Sequence, residues 1–259
     1  MKLSKFCTAV LVEKPIAIRL SQGQSAVERC RHRGIYLGVG YNLRFLASLQ
    51  KFRSLVSRGM VGQIKKIECV ASQYLPWWRP TQDYRKGVSA QKKLGGGVLL
   101  ELSHELDYLL WIFGPATQVR ATLCRSSKLA IDVEDEARIK MEFQRPDGQR
   151  IPMKLLLAFG RREHRRFCQV QGTKGALRWD ALKNAVTLRR GRRARRVLFR
   201  KNSIPQTSEA MWREFLSGWK TGRPPAVPGT DGVRVLALIE SIWKSNRLGG
   251  RAVPVPATA

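Results

Sequence analysis

No stretch constrains this chain more than Gly95-Gly96-Gly97 and the apolar, helix-length run behind it, which closes at Gly114. A triple glycine turns tightly or lets backbone approach something closely. Within the run Glu101, His104 and Asp107 recur at i, i+3 and i+6, which predicts one polar stripe on an otherwise oily helix. An imidazole between two carboxylates has its tautomer fixed and its charged form favoured, which suits proton transfer near neutral pH. The same spacing also suits two carboxylates in solvent around an interior histidine, and spacing alone leaves both readings open.

Ahead of that helix the order is strand, helix, strand. Thr8-Ala9-Val10-Leu11-Val12 is short and rich in β-branched residues, as buried parallel strands are, and it runs straight into Glu13-Lys14-Pro15. Ligands bind at that carboxyl end in open α/β sheets. A helix over 21–33 with Ser21 as N-cap, a strand over 35–41 and the turn Asn42-Leu43-Arg44-Phe45 follow, implying a parallel pair with a crossover helix. A helix over 46–58 and a strand over 64–71 lead into a turn-rich aromatic loop from Tyr74 through Trp77-Trp78-Arg79 and Tyr84 to Gln91. Beyond Pro115 the pattern alternates over 118–124, 136–143, 153–159, 166–171, 175–179 and 185–190, with Pro146-Asp147-Gly148 and Gly172-Thr173-Lys174-Gly175 as tight turns. This half predicts a largely antiparallel sheet. Helices over 209–219 and 233–247 close it, and 254–259 reads as a fraying tail.

Composition narrows the function. At 259 residues, 43% hydrophobic and 26% charged, the chain has ample material for a core and no case for wholesale disorder. No apolar run approaches membrane-span length, so no membrane association is expected. The start, Met1-Lys2-Leu3-Ser4-Lys5-Phe6, is faintly leader-like, but Glu13-Lys14-Pro15 interrupts its apolar core and no small-residue cleavage site follows. Cys7, Cys30, Cys69, Cys124 and Cys168 are odd in number and scattered, which argues against a disulfide framework or a metal site and for a reducing cytoplasm. A formal charge of +29 predicts attraction to polyanions. Much of it lies in 160–166 and 189–196, neither interleaved with aromatics, and no nucleic-acid motif accompanies them. A solvated basic face is the preferred reading, and a nucleic-acid partner is disfavoured.

Taken together, the motifs resemble the Gfo/Idh/MocA oxidoreductases, relatives of glucose-fructose oxidoreductase and inositol dehydrogenase. Val12-Glu13-Lys14-Pro15 is similar to their Glu-Lys-Pro signature, and Gly40-Tyr41-Asn42-Leu43-Arg44-Phe45 to the strand end that follows it. Gly95 through Asp107 resembles their glycine-rich, histidine-bearing helix. Glu134-Asp135-Glu136-Ala137, Val170 through Gly175 and Asp231 through Leu236 complete the series in the family's order. The resemblance implies α/β and α+β architecture: residues 1–45 a remnant of a Rossmann-like parallel sheet, and 46–259 a mostly antiparallel substrate and dimerisation domain with helices on one face.

It also implies chemistry. Lys14 would sit beside nicotinamide and substrate hydroxyl, and His104 would accept the proton as hydride leaves the carbinol carbon. Glu101 falls one residue nearer the histidine than the family's commoner acidic position, a rotation of about 100° on a helix. Asp107 matches a further acidic position. Glu13, Lys14, Asn42 and Arg44 would border NAD or NADP, while Trp78, Arg79 and Tyr84 would meet a sugar or nucleotide-sugar substrate. A homodimer through the sheet face is expected. The family's Gly-x-Gly-x-x-Gly turn, which cradles pyrophosphate, has no counterpart: Gly38-Val39-Gly40 lacks the last glycine and falls on the wrong strand. The chain therefore reads as an N-terminally shortened, impaired sugar oxidoreductase. Alternatives are a non-catalytic sugar-binding or dimerisation module and, less favoured, a polyanion-binding protein.

Overall fold

In the computed structural model, residues 7–125, 128–144, 148–191, 194–201 and 206–258 are described. The leader-like start, Pro146-Asp147 of the hairpin signal, Arg192-Arg193 of the second basic run and Ala259 lie outside them. Strands β1 (Ala9–Val12) and β2 (Tyr36–Val39) pair in parallel with α1 (Leu20–His32) as the crossover, as the apolar runs and the intervening helix require. Helix α1 begins from an N-cap at Arg19 rather than Ser21, because the Gln22 side chain takes the Arg19 backbone N–H. The turn Asn42–Phe45 and helix α2 (Ala47–Ser57) lead out of this small sheet.

The second sheet has nine strands: β3 (Ile64–Ser72), β4 (Ala116–Cys124), β5 (Glu136–Gln144), β6 (Arg150–Ala158), β7 (Arg165–Gly172), β8 (Gly175–Asp180), β9 (Ala185–Arg189), β10 (Arg196–Arg200) and β11 (Val253–Pro254). Their order is β10-β9-β8-β7-β3-β6-β5-β4-β11. Every pairing is antiparallel except β3 with β6, whose carboxyl ends therefore emerge side by side. Period-two alternation sets the faces: in β5, Ala137, Ile139, Met141 and Phe143 are buried while Arg138 and Lys140 face out. The basic run of the sequence hides β10, since Val197-Leu198-Phe199 is only a brief apolar island between arginines. The tail likewise holds β11, whose Val253 pairs with Val119 of β4, and Val255 N–H then bonds the Thr117 carbonyl.

Helices α3 (Val98–Glu101), α4 (Ser103–Phe113), α5 (Thr207–Thr221) and α6 (Gly229–Arg247) complete the chain. The long helix expected over the apolar run is two, broken at Leu102 (φ −95°, ψ 28°). Beneath α2 and α4 lies wholly buried Trp179, whose Nε1 donates to Ser48 Oγ at 2.9 Å and whose ring meets Tyr108 edge-on at 5.2 Å. Burying each such side chain stabilises the fold by about 1.5–3 kcal/mol. Helix α6 joins the two sheets: a Cβ at Gly232 would stand 2.9 Å from Ile16, so only glycine allows this approach. No described helix is long and apolar enough to cross a membrane.

Candidate active site

Three features converge at the carboxyl ends of strands: Lys14 just past β1, His104 in the first turn of α4, and the exits of β3 and β6. Lys14 Nζ donates to the Glu101 carbonyl at 2.7 Å and lies 3.5 Å from Glu101 Oε1. Glu101 Oε2 accepts from Ser89 Oγ at 2.7 Å, so one carboxylate ties Lys14 to the 3-10 turn at Val88–Ala90. The triple glycine holds this corner. Gly97 has φ 108°, and a Cβ there would meet Glu134 Oε1 at 2.5 Å. Glu134 in turn caps α3, its carbonyl accepting from Val98 N–H and its carboxylate from Leu99 N–H. Desolvation raises the Glu134 carboxyl above its usual range.

His104 is half-buried; its Nδ1 is fully buried and has no hydrogen-bond partner, and its ring meets Tyr41 edge-on at 5.7 Å. Burial, then the charges of Arg166 and Lys14, hold the imidazole well below the ordinary histidine range. This corrects the expected electrostatics. The break at Leu102 and the helical turn send Glu101 to Lys14 and Asp107 elsewhere, so cations rather than carboxylates flank the ring and the neutral form is favoured.

Asp107 belongs to a buried network. Arg44, 6% exposed, donates from Nε and Nη2 to Asp107 at 2.9 and 2.6 Å and from Nη1 to Asp231 at 2.8 Å. Burial pushes the Asp107 carboxyl up to about 6 against the pull of Arg44. Burial also opposes the Arg44 charge, but the two carboxylates outweigh it and raise the guanidinium. Arg44 and Asp107 thus clamp the turn after β2 to α4 and α6, both buried and paired with each other. Asn42 donates to Thr207 Oγ1 and Ser208 Oγ at the start of α5. Of the four residues expected at a cofactor, Glu13, exposed beside Gly40, and Lys14 remain open. In the loop after β3, Trp78 packs edge-on against Phe159 at 5.0 Å with a buried, unpartnered Nε1, Arg79 is exposed, and the Tyr84 hydroxyl accepts from Ala130 N–H. A cavity of about 920 Å³ between the start of α1, Gly95-Gly96 and α6 contains neither Lys14 nor His104.

Sequence reasoning missed Arg166. Its Nε donates at 2.7 Å to Glu105, the wholly buried neighbour of His104. Only the β3–β7 register, which sets Arg166 opposite Ala71, could have revealed it.

Comparison with known proteins decides the ancestry. The profile of Gfo/Idh/MocA proteins described as "Oxidoreductase family, C-terminal alpha/beta domain" matches residues 53–255. The chain belongs to this family. An uncharacterized oxidoreductase of Synechocystis is 32% identical over 132 residues, 51% of this chain and 35% of that protein. The 2,7-anhydro-N-acetylneuraminate hydratase of Escherichia coli is 27% identical over 76% of this chain and 52% of its own length. The chain thus spans about a third to a half of these two relatives. Levoglucosan dehydrogenase in complex with NADH and levoglucosan superposes with a TM-score of 0.82 at 18% identity, over 96% of this chain and 74% of that one, and shares its fold.

Against the nicotinamide dinucleotide of such family members, the side chains fit at one end. Lys14 and the unpartnered His104 ring are donor and acceptor suited to a carbinol beside nicotinamide. Pyrophosphate needs a glycine turn leading into a helix. The β1-to-α1 connection, 13–19, has no glycine, and a Cβ at Gly38 would strike the Phe215 ring at 2.9 Å, so that glycine serves packing. Among the described residues the fit is to the nicotinamide end alone.

Proposed function

We propose that this chain carries the substrate side of an NAD(P)-linked oxidoreductase acting on a hydroxyl or carbonyl of a sugar derivative. The observation that supports the reading is Lys14, held on the Glu101 carbonyl, with its charge acting on a half-buried His104 whose neutral form is favoured. NAD(P), when bound, supplies the hydride acceptor or donor. Lys14 donates a hydrogen bond to the reacting oxygen and favours its deprotonation. His104 takes the hydroxyl proton in oxidation and returns it in reduction, because cations on either side keep its lone pair free. Glu101 positions the ammonium through its carbonyl and carboxylate. Trp78 and Arg79 offer an apolar wall and a charged donor at the substrate's edge, and Tyr84 braces that loop. Family membership supports the reaction class, and the sugar named for the E. coli relative supports the substrate class. We further propose a homodimer through the outer sheet face.

The test is reduction of NAD⁺ or NADP⁺ by the chain across aldoses, sugar acids and cyclitols, followed by nicotinamide absorbance. Lys14→Met and His104→Ala should each lower kcat/KM by about 100-fold or more. Turnover untouched by both substitutions would refute the assignment.

A further inference from the structure

The basic run 160–166, solvent-facing by its composition, spans the connection from β6 to β7 and the first two residues of β7. Most of its charges are occupied. Arg161 pairs with Glu136 at 2.9 Å, Arg165 lies 3.6 Å from Glu163, and Arg162 sits over the Tyr74 ring at 5.7 Å. Arg166 differs. Its Nε is fixed on Glu105 and Nη2 is buried without a partner, while among the described residues Nη1 takes no hydrogen bond and a quarter of the side chain stays exposed. Glu105 follows His104 on α4 and is wholly buried, so the guanidinium is pinned against that turn of the helix, near enough for its charge to act on the imidazole. Its charge is among those that oppose protonation of His104. The carboxylates on this part of the helix pair are engaged, Glu101 with Lys14 and Ser89, and Glu105 through Oε1 with Arg166 itself.

An open guanidinium end in a partly desolvated site is a poor match for a neutral hydroxyl and a good one for an anionic oxygen, since charge-assisted hydrogen bonds are roughly twice as strong as neutral ones. We propose that Arg166 determines specificity: the sugar derivative held at Lys14 and His104 carries an anionic group, carboxylate or phosphate, that pairs with Arg166 Nη1. This rests on the reading of Lys14 and His104 as the substrate site. Lys14 and Arg162 add to the positive field and draw such a ligand in.

Calorimetric titration with D-glucose, D-glucuronate and D-glucose 6-phosphate tests it. At least one of the two anions should bind about tenfold or more tightly than glucose, the worth of one hydrogen bond to a charged group. The one that does identifies the group as carboxylate or phosphate. The double variant Arg166→Gln/Glu105→Gln, which removes the cation without stranding a buried carboxylate, should bring that anion to the affinity of glucose. Should it fail to fold, Arg166→Lys serves: it keeps a charge at Glu105 but removes the separate Nη1 donor of the fork, so the preference should fall towards that of glucose. Arg29→Gln, on the exposed side of α1, should change nothing.

Equal binding of all three ligands, or a preference that survives at Arg166, overturns the proposal while leaving the sugar reading intact. A chain that binds none of the three overturns both. A loss as large from Arg29→Gln also overturns it, since diffuse attraction to a +29 chain would then explain the preference.

Discussion

Replacing Arg44 with methionine tests whether the clamp between the small sheet and helices α4 and α6 is electrostatic. Arg44 makes three ionic hydrogen bonds of 2.6–2.9 Å to two carboxylates, and its loss strands Asp107, 1% exposed. Breaking a buried pair from one side costs about 3–5 kcal/mol. Part of that cost depends on pH. Asp107 titrates at about 6 in the intact fold, against about 3.9 in an unfolded chain. Without Arg44 its folded value rises further, so the variant folds with a neutral carboxyl at pH 7 where the parent folds with a charged one. The difference between parent and variant should therefore shrink by about 1 kcal/mol from pH 7 to pH 6 and by about 1.4 kcal/mol in all, levelling off near pH 5 once both forms carry the proton. The sign follows from a raised folded pKa: relative stability is lost as pH climbs through about 6, not as it falls. Urea unfolding of parent and variant between pH 5 and 8 measures this directly. A destabilisation below about 1 kcal/mol, or one independent of pH, would contradict the reasoning.

Two further outcomes follow from the same geometry. Gly97→Ala, at φ 108° and with its new Cβ 2.5 Å from Glu134 Oε1, should cost about 1–3 kcal/mol from backbone strain alone, read from urea midpoints; a neutral result would mean the corner relaxes freely. On the outer sheet face Arg120, Lys140 and Lys154 stand opposite one another across three strands, all exposed. A homodimer through that face should strengthen as salt screens these like charges, and light scattering that shows it weakening would rule the face out.

How much of this was legible in the letters varies with the range of the interaction. Local periodicity marked β1, α1, β2 and most of the large sheet, because alternation and apolar runs are local consequences of which face is buried. The placement of Lys14 past a strand end and of His104 on a glycine-led helix was legible from motifs. Partners were not. Glu101, His104 and Asp107 share spacing but not surroundings: the break at Leu102 and the position of Arg44, 63 residues from Asp107, gave them three separate neighbourhoods. The positive setting of His104 depends on Arg166, brought beside it by a β3–β7 register that no local pattern encodes. Similarly, β11 is two residues long and forms only because β4 offers an edge.

The account turns on a neutral His104 beside Lys14 in a site that accepts a sugar. The chain has three histidines, so ring ¹⁵N shifts can be followed singly by NMR from pH 5 to 8. His104 should stay neutral through the ordinary histidine range, and its shifts should move when the sugar ligand is added. A His104 ring that protonates near pH 6.5, or that ignores every sugar added, would contradict it.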